Sequence, residues 1–300
     1  MTPPPTTVAL LGLGLIGGSI ARALARLADA PQVVAWTPSG NGPSAALRDG
    51  VIRRAAGTLE EAVVGADLVI IAAPPLETID LLRVLGKDLG GAIGPQTVVT
   101  DVASTKAAVM SAAQTWGLTF VGGHPMAGRE TTGYEASSAD LFAGRPWVIV
   151  APAELAADGV DRVRWLARAC RATPLELTAT EHDAAVAAIS HLPLVIAAAL
   201  AEAVVADEAW PTAARLAASG WASATRLAHG DPRMGAGIAA TNRRAIAKLL
   251  RAFGAEVDAW IAALDGGEDD ADGEGADQKR GVELEQRFAH ARAILADPPN

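Results

Sequence analysis

A doubly wound parallel α/β sheet followed by an all-helical domain is the fold class that this sequence predicts. Three observations point to it. The stretch "TTVALLGLGLIGGSIARAL" (6–24) passes from an apolar run through a G-x-G-x-x-G turn into a helical pattern. Short apolar strands then alternate with helical stretches as far as Pro152. Beyond Pro152 the strand signal fades and long helical patterns take over.

The elements follow in order. The apolar run of 6–24 is short enough for a buried parallel strand, and a helix begins after its glycines. "QVVAW" (32–36) is a second strand at the spacing of a βαβ unit. "ADLVIIAAP" (66–74) reads as a strand, "LETIDLLRVLGKDL" (76–89) as a helix, and "QTVVTDVAS" (96–104) as a strand running into a polar turn. "TKAAVMSAAQTW" (105–116) is the next helix, while "GLTFVG" (117–122) and "PWVIVAP" (146–152) add strands. Past Pro152, helices are expected at 159–172, 181–206, 211–229 and 236–263, with one short strand signal in "TPLELT" (173–178). The chain therefore divides into a dinucleotide-binding domain (1–152), a helical substrate and dimerisation domain (153–264), and an acidic flexible tail carrying a short helix (265–300).

Composition narrows the partners. The net charge of −9 argues against nucleic acid or an anionic membrane surface. Much of the acid is local to "LDGGEDDADGEGADQ" (264–278), which is too poor in apolar residues to form a core. A single cysteine, Cys170, rules out an internal disulfide, and no metal-ligand spacing is present. The N-terminal "MTPPPTT" lacks the pattern of a signal peptide, so a cytoplasmic location is expected. The most apolar stretch (184–206) is interrupted by His191, Pro193 and Glu202. It reads as an interface helix of a homodimer formed through the helical domain, and not as a membrane span.

The glycines have separate physical tasks. Gly12 permits the tight turn, Gly14 lets a pyrophosphate touch the backbone, and Gly17 lets the helix lie against the strand. The free N–H groups at Leu15 and Ile16 open a helix N-terminus suited to phosphate. This is a Rossmann-type site for NAD or NADP. The end of the second strand, "AWTPSGN", offers Thr37 and Ser39 to the ribose but no carboxylate, which leaves the choice of cofactor open.

"GGHPMAGRE" (122–130) places His124 between glycines, just past a predicted strand end, where open α/β sheets bind their ligands. Together with "GLGLIGGS" (12–19), "DVASTK" (101–106), "EHDAAVAAISHLP" (181–193) and "TRLAHGDPRM" (225–234), this loop closely resembles the prephenate/arogenate dehydrogenase family of tyrosine biosynthesis. The resemblance covers roughly residues 6–263.

That resemblance implies NAD(P)-dependent oxidative decarboxylation of prephenate to 4-hydroxyphenylpyruvate, with arogenate as the alternative substrate. It makes His124 the catalytic base and Ser104 the polar partner beside the nicotinamide; Ser104 also reads as an N-cap for 105–116. It makes Arg226 a clamp on a substrate carboxylate, His191 a residue lining the site, and Glu130 an acid that gates or orients it. His182 is expected to anchor a helix start or an interface and to take no chemical step. Three positions depart from the family pattern: Leu194 where many members carry a second histidine, Gly230 before the Asp231-Pro232 pair, and Gly235 where an aromatic is common. The rival reading is a β-hydroxyacid dehydrogenase or imine reductase, for which Lys248 would be the helical-domain lysine.

Overall fold

The computed structural model describes residues 3–129, 131–152, 157–265 and 276–296. Glu130 and most of the acidic segment expected to be flexible lie outside the described residues. The chain forms two compact units, residues 1–246 and 247–300.

The first unit is built on β1 (Thr7–Leu11), α1 (Leu15–Leu24), β2 (Gln32–Trp36), α2 (Asn41–Arg48), β3 (Arg54–Ala55), α3 (Leu59–Val63) and β4 (Leu68–Ile71). It continues through α4 (Pro75–Arg83), β5 (Val98–Asp101), α5 (Ala107–Thr115), β6 (Phe120–Pro125), β7 (Pro146–Val150), α6 (Ala157–Ala169) and β8 (Thr173–Glu176). The eight strands form one sheet in the order β3-β2-β1-β4-β5-β6-β7-β8. All pairs are parallel except β6 with β7. Among the described residues the link between those two strands carries only a 3-10 turn (Tyr134–Ala136) and no α-helical crossover, and the chain turns back to pair antiparallel.

Alternation along each strand explains why both faces are covered. Val8 and Leu10 point to one face, where α1, α2 and α6 contribute Ile20, Leu24, Ala46, Val163 and Leu166. Ala9 and Leu11 point to the other, against Val63 of α3, Leu82 of α4 and Val109 of α5. β1 pairs with β2 on one side and β4 on the other, so the strand order reverses at its C-terminal end. A ligand crevice belongs at such a reversal.

The helices that follow are α7 (Ala179–Val186), α8 (Leu192–Val205), α9 (Trp210–Leu216), α10 (Ser219–Thr225), α11 (Pro232–Thr241), α12 (Arg243–Asp265) and α13 (Ala276–Ala296). A π turn at Ala187–His191 joins α7 to α8, so the helix expected at 181–206 is continuous but bulged. The helix expected at 211–229 divides at Ala217 and Ala218, whose backbones are extended, and ends in a 3-10 turn over Arg226–His229. The helix expected at 236–263 divides at Asn242. In the second unit α13 begins at Ala276, earlier than the expected 282. There Phe288 packs on Trp260 with ring centroids 4.9 Å apart, and Arg287 lies over the same indole.

Candidate active site

The glycine turn leaves β1 at the strand-order reversal. Gly12 has φ +103°, and a Cβ there would stand 2.1 Å from the Ala72 carbonyl oxygen. A Cβ on Gly17 would meet the Gly12 oxygen at 2.0 Å, which is the close helix–strand approach that the motif requires. Gly14 differs, because nothing lies within 4 Å of its Cβ position. It is also the N-cap of α1 and no side chain caps that end, so the first-turn N–H groups are open to an anion. The backbone at Gly14 therefore fits a pyrophosphate. Leu15 is buried and Ile16 packs on the core, so only their backbones can serve a ligand.

Beside this turn lies a cavity of about 380 Å³ lined by Gly14, Thr37, Ser39, Asn41, Tyr134 and Glu135, among others. Thr37 and Ser39 thus stand at the same crevice as the glycine turn. Glu135 lines the same cavity. It sits in the loop between β6 and β7, where Tyr134 packs under the Arg22 guanidinium of α1.

His124 belongs to β6 itself and not to a loop past its end. The returning strand β7 extends the pairing, with His124 opposite Val148 and Pro125 opposite Trp147. Gly123 is needed there, since a Cβ would meet the Asp101 carbonyl oxygen at 2.6 Å. The partly buried imidazole approaches His182, with 2.8 Å between His124 Nδ1 and His182 Nε2. Burial is the main cause that holds the His124 pKa well below the ordinary 6.5; the charges of His182, Lys106 and His191 act in the same direction. A neutral ring with a free lone pair can accept a proton at neutral pH.

Ser104 follows β5 but does not cap α5. That task falls to Asp183 of α7, whose carboxylate accepts the backbone N–H groups of Lys106 (2.7 Å) and Ala107 (2.9 Å). Ser104 Oγ is left buried and without a hydrogen-bond partner. His191 Nε2 is in the same condition, while its Nδ1 faces the Asn242 amide at 3.2 Å. The π turn directs His191 inward, fully buried, and burial lowers its pKa to about 4 against the opposing charge of Asp183. Buried polar atoms without partners cost free energy, so both atoms are suited to a ligand group.

Lys106 is also fully buried and pairs with the Asp101 carboxylate. Burial lowers its pKa, and Asp101 opposes that shift. Arg226 is exposed in the 3-10 turn that packs on α8, the helix beginning just after His191. Among the described residues no cluster of His, Cys, Asp and Glu is arranged to hold a metal ion. Cys170 is fully buried, and burial pushes its thiol pKa up.

Sequence reasoning placed His182 at a helix start or an interface and gave it no chemical step. It stands near the start of α7, and its approach to His124, like the roles of Asp183 and Asn242, was missed. A signal for the first two was present. Thr178 and Glu181 form a capping box that fixes the start of α7, and His182 and Asp183 are a polar pair directly after it, followed by an alanine-rich run.

Leu194 and Gly235, two of the departures from the family pattern, are neighbours in space. A Cβ on Gly235 would lie 3.9 Å from Leu194 Cδ2.

Comparison with known proteins identifies the family. A family model described as the prephenate dehydrogenase nucleotide-binding domain matches residues 20–174, and one described as the prephenate dehydrogenase dimerization domain matches residues 178–274. Prephenate dehydrogenase of Bacillus subtilis is 33% identical over 263 residues, covering 86% of this chain and 68% of that protein. Among solved structures, the arogenate dehydrogenase of Synechocystis is 25% identical with a TM-score of 0.75, covering 97% of this chain and 99% of the other. Prephenate dehydrogenase of A. aeolicus, crystallised with hydroxyphenyl propionate and NAD+, has the same fold at 22% identity and a TM-score of 0.81, covering 98% and 99%. The chain belongs to the prephenate dehydrogenase family.

Proposed function

We propose that this chain catalyses the NAD(P)-dependent oxidative decarboxylation of prephenate to 4-hydroxyphenylpyruvate. The observation that carries the reading is His124, an imidazole kept neutral by burial at the C-terminal end of β6, near His191. Bound NAD(P) would supply the hydride acceptor for the ring carbon that bears the hydroxyl. His124 takes the hydroxyl proton as hydride leaves, which requires the unprotonated ring that burial maintains. The ring carboxylate leaves as CO₂, its bonding pair makes the ring aromatic, and His124 returns the proton to the phenol oxygen. No net proton is released.

The backbone around Gly12, Gly14 and Gly17 would hold the pyrophosphate, with Thr37 and Ser39 toward the adenosine ribose. Ser104 and His191 would bond substrate or nicotinamide groups, and Arg226 would clamp a substrate carboxylate. Glu130 would take the gating or orienting role that the family resemblance implies.

Arogenate is the second reading, and the Leu194–Gly235 pair favours it. An uncharged patch at these positions, which lie near the substrate side chain in the family, does not repel an ammonium group as a histidine cation would. We further propose a cytoplasmic homodimer formed through the helical domain. The helix run Ala179–Val205 is long and apolar enough to cross a membrane, yet it falls within the residues matched by the dimerization-domain model. Its apolar face is better covered by a second copy.

Steady-state rates with each pairing of NAD or NADP with prephenate or arogenate test the proposal through reduced-cofactor absorbance. Turnover of either cyclohexadienyl acid supports it, and the faster acid identifies the substrate. Binding of cofactor with no turnover of either would overturn it.

A further inference from the structure

His182 is almost fully buried and bonded at both ring nitrogens. Its Nε2 faces His124 Nδ1 at 2.8 Å, and its Nδ1 faces Asp183 Oδ1, also at 2.8 Å. Asp183 is itself fixed by the two backbone N–H groups of α5, and its main-chain oxygen accepts from the Asn242 amide at 2.8 Å. Burial would raise the Asp183 pKa, but the bonds from His182, Ala107 and Lys106 outweigh it and hold the group ionised.

An ionised carboxylate only accepts hydrogen bonds. His182 therefore carries its proton on Nδ1, and in the neutral ring Nε2 is a lone pair. His124 must then donate from Nδ1, which leaves Nε2 of His124 as the unprotonated nitrogen. From this chain of constraints we infer that His182 and Asp183 are positioning residues, which fix the ring tautomer of His124 so that Nε2 is the base. The inference rests on the dehydrogenase reading for its kinetic consequence but not for the tautomer. The proton taken from substrate makes His124 an imidazolium whose Nδ1–H is already donated to His182, so no reorganisation is needed at that end.

The opposite assignment is definite. A doubly protonated His182 would donate to His124 Nδ1, place the His124 proton on Nε2, and abolish the base.

The test combines ring ¹⁵N spectroscopy of histidine-labelled protein with kinetics of His182→Leu and His182→Gln. With five histidines in the chain, each signal is assignable by substitution. In the wild type His124 should carry hydrogen on Nδ1 alone. His182→Leu should scramble the tautomer and lower kcat about tenfold to a hundredfold, with KM and NAD(P) affinity within about threefold. His182→Gln, whose carbonyl can accept from His124 Nδ1, should restore the tautomer and most of kcat. Hydrogen on Nε2 of His124 in the wild type would overturn the inference. So would a Leu variant with kcat within about twofold of wild type, or a folded Gln variant that recovers neither property. Should the wild type oxidise neither prephenate nor arogenate, the proposed reaction fails, while the spectra still decide the tautomer.

Discussion

The Asp183 carboxylate accepts the backbone N–H of Lys106 at 2.7 Å, although the two residues are 77 positions apart. Helix α5 is thus capped by α7 and not by its own neighbouring serine. Removing that acceptor strands two N–H groups at a buried helix start. Asp183→Ala should lower unfolding free energy by about 2–4 kcal/mol, the sum of a lost cap and a buried unsatisfied donor. Asp183→Asn retains one acceptor and should lose less. Urea titration at neutral pH measures both, and an Ala variant as stable as the parent would show that the cap contributes nothing.

His191 makes stability depend on pH in a defined window. Its folded pKa of about 4 lies below the ordinary 6.5, so in that interval the unfolded chain binds the extra proton. The contribution is complete above pH 6.5, declines as pH falls, and is lost below about 4. A shift of this size corresponds to on the order of 3 kcal/mol. His124, also held low by burial, acts in the same direction. His191→Asn should therefore flatten part, but not all, of the fall in stability between about pH 7 and pH 4.5. An unchanged slope in urea midpoints across that range would remove His191 as a source.

What could be read from the sequence was set by local sterics. The roles of Gly12, Gly14 and Gly17 follow from which of them a Cβ would obstruct, and the motif spacing already encodes that. The parallel sheet was legible for similar reasons. The strand containing His124 was cut short because its last pairs depend on β7, which lies beyond an intervening loop. The helix break at Asn242 was hidden too. Its amide bonds the Asp183 carbonyl and reaches His191, and these distant partners override the local preference for continuing the helix. Asp183 was missed because its partners, on α5, are far away in sequence.

Glu135 carries a prediction about cofactor choice. It lines the same cavity as Thr37 and Ser39, and a 2′-phosphate bound there would be repelled by its carboxylate. Glu135→Arg replaces repulsion with a phosphate partner and should raise the ratio of kcat/KM for NADP over NAD by about tenfold or more. Activity with saturating NAD should change little, since the residue is remote from the reacting ring. A ratio within about twofold of the parent would mean that the ribose is recognised by other groups.

Arg226 and His124 should fail in different ways when changed. If Arg226 clamps a substrate carboxylate, its bond is made in ground state and transition state alike. Arg226→Ala should then raise KM by roughly tenfold to a hundredfold, the equivalent of a charge-assisted bond of about 1.5–3 kcal/mol. Arg226→Lys keeps the charge but loses the two-pronged geometry, so KM should rise less. NAD(P) affinity should be unaffected in both. His124→Asn removes the base and should lower kcat by on the order of a hundredfold or more while KM stays nearly constant. Initial rates over a matrix of both substrates, with cofactor affinity measured separately by fluorescence quenching, separate the two patterns. Arg226 variants with unchanged KM, or with weakened cofactor instead of substrate, would shift the clamp to another cation. Arg129, on the segment that leaves β6 just after His124, is the next to test.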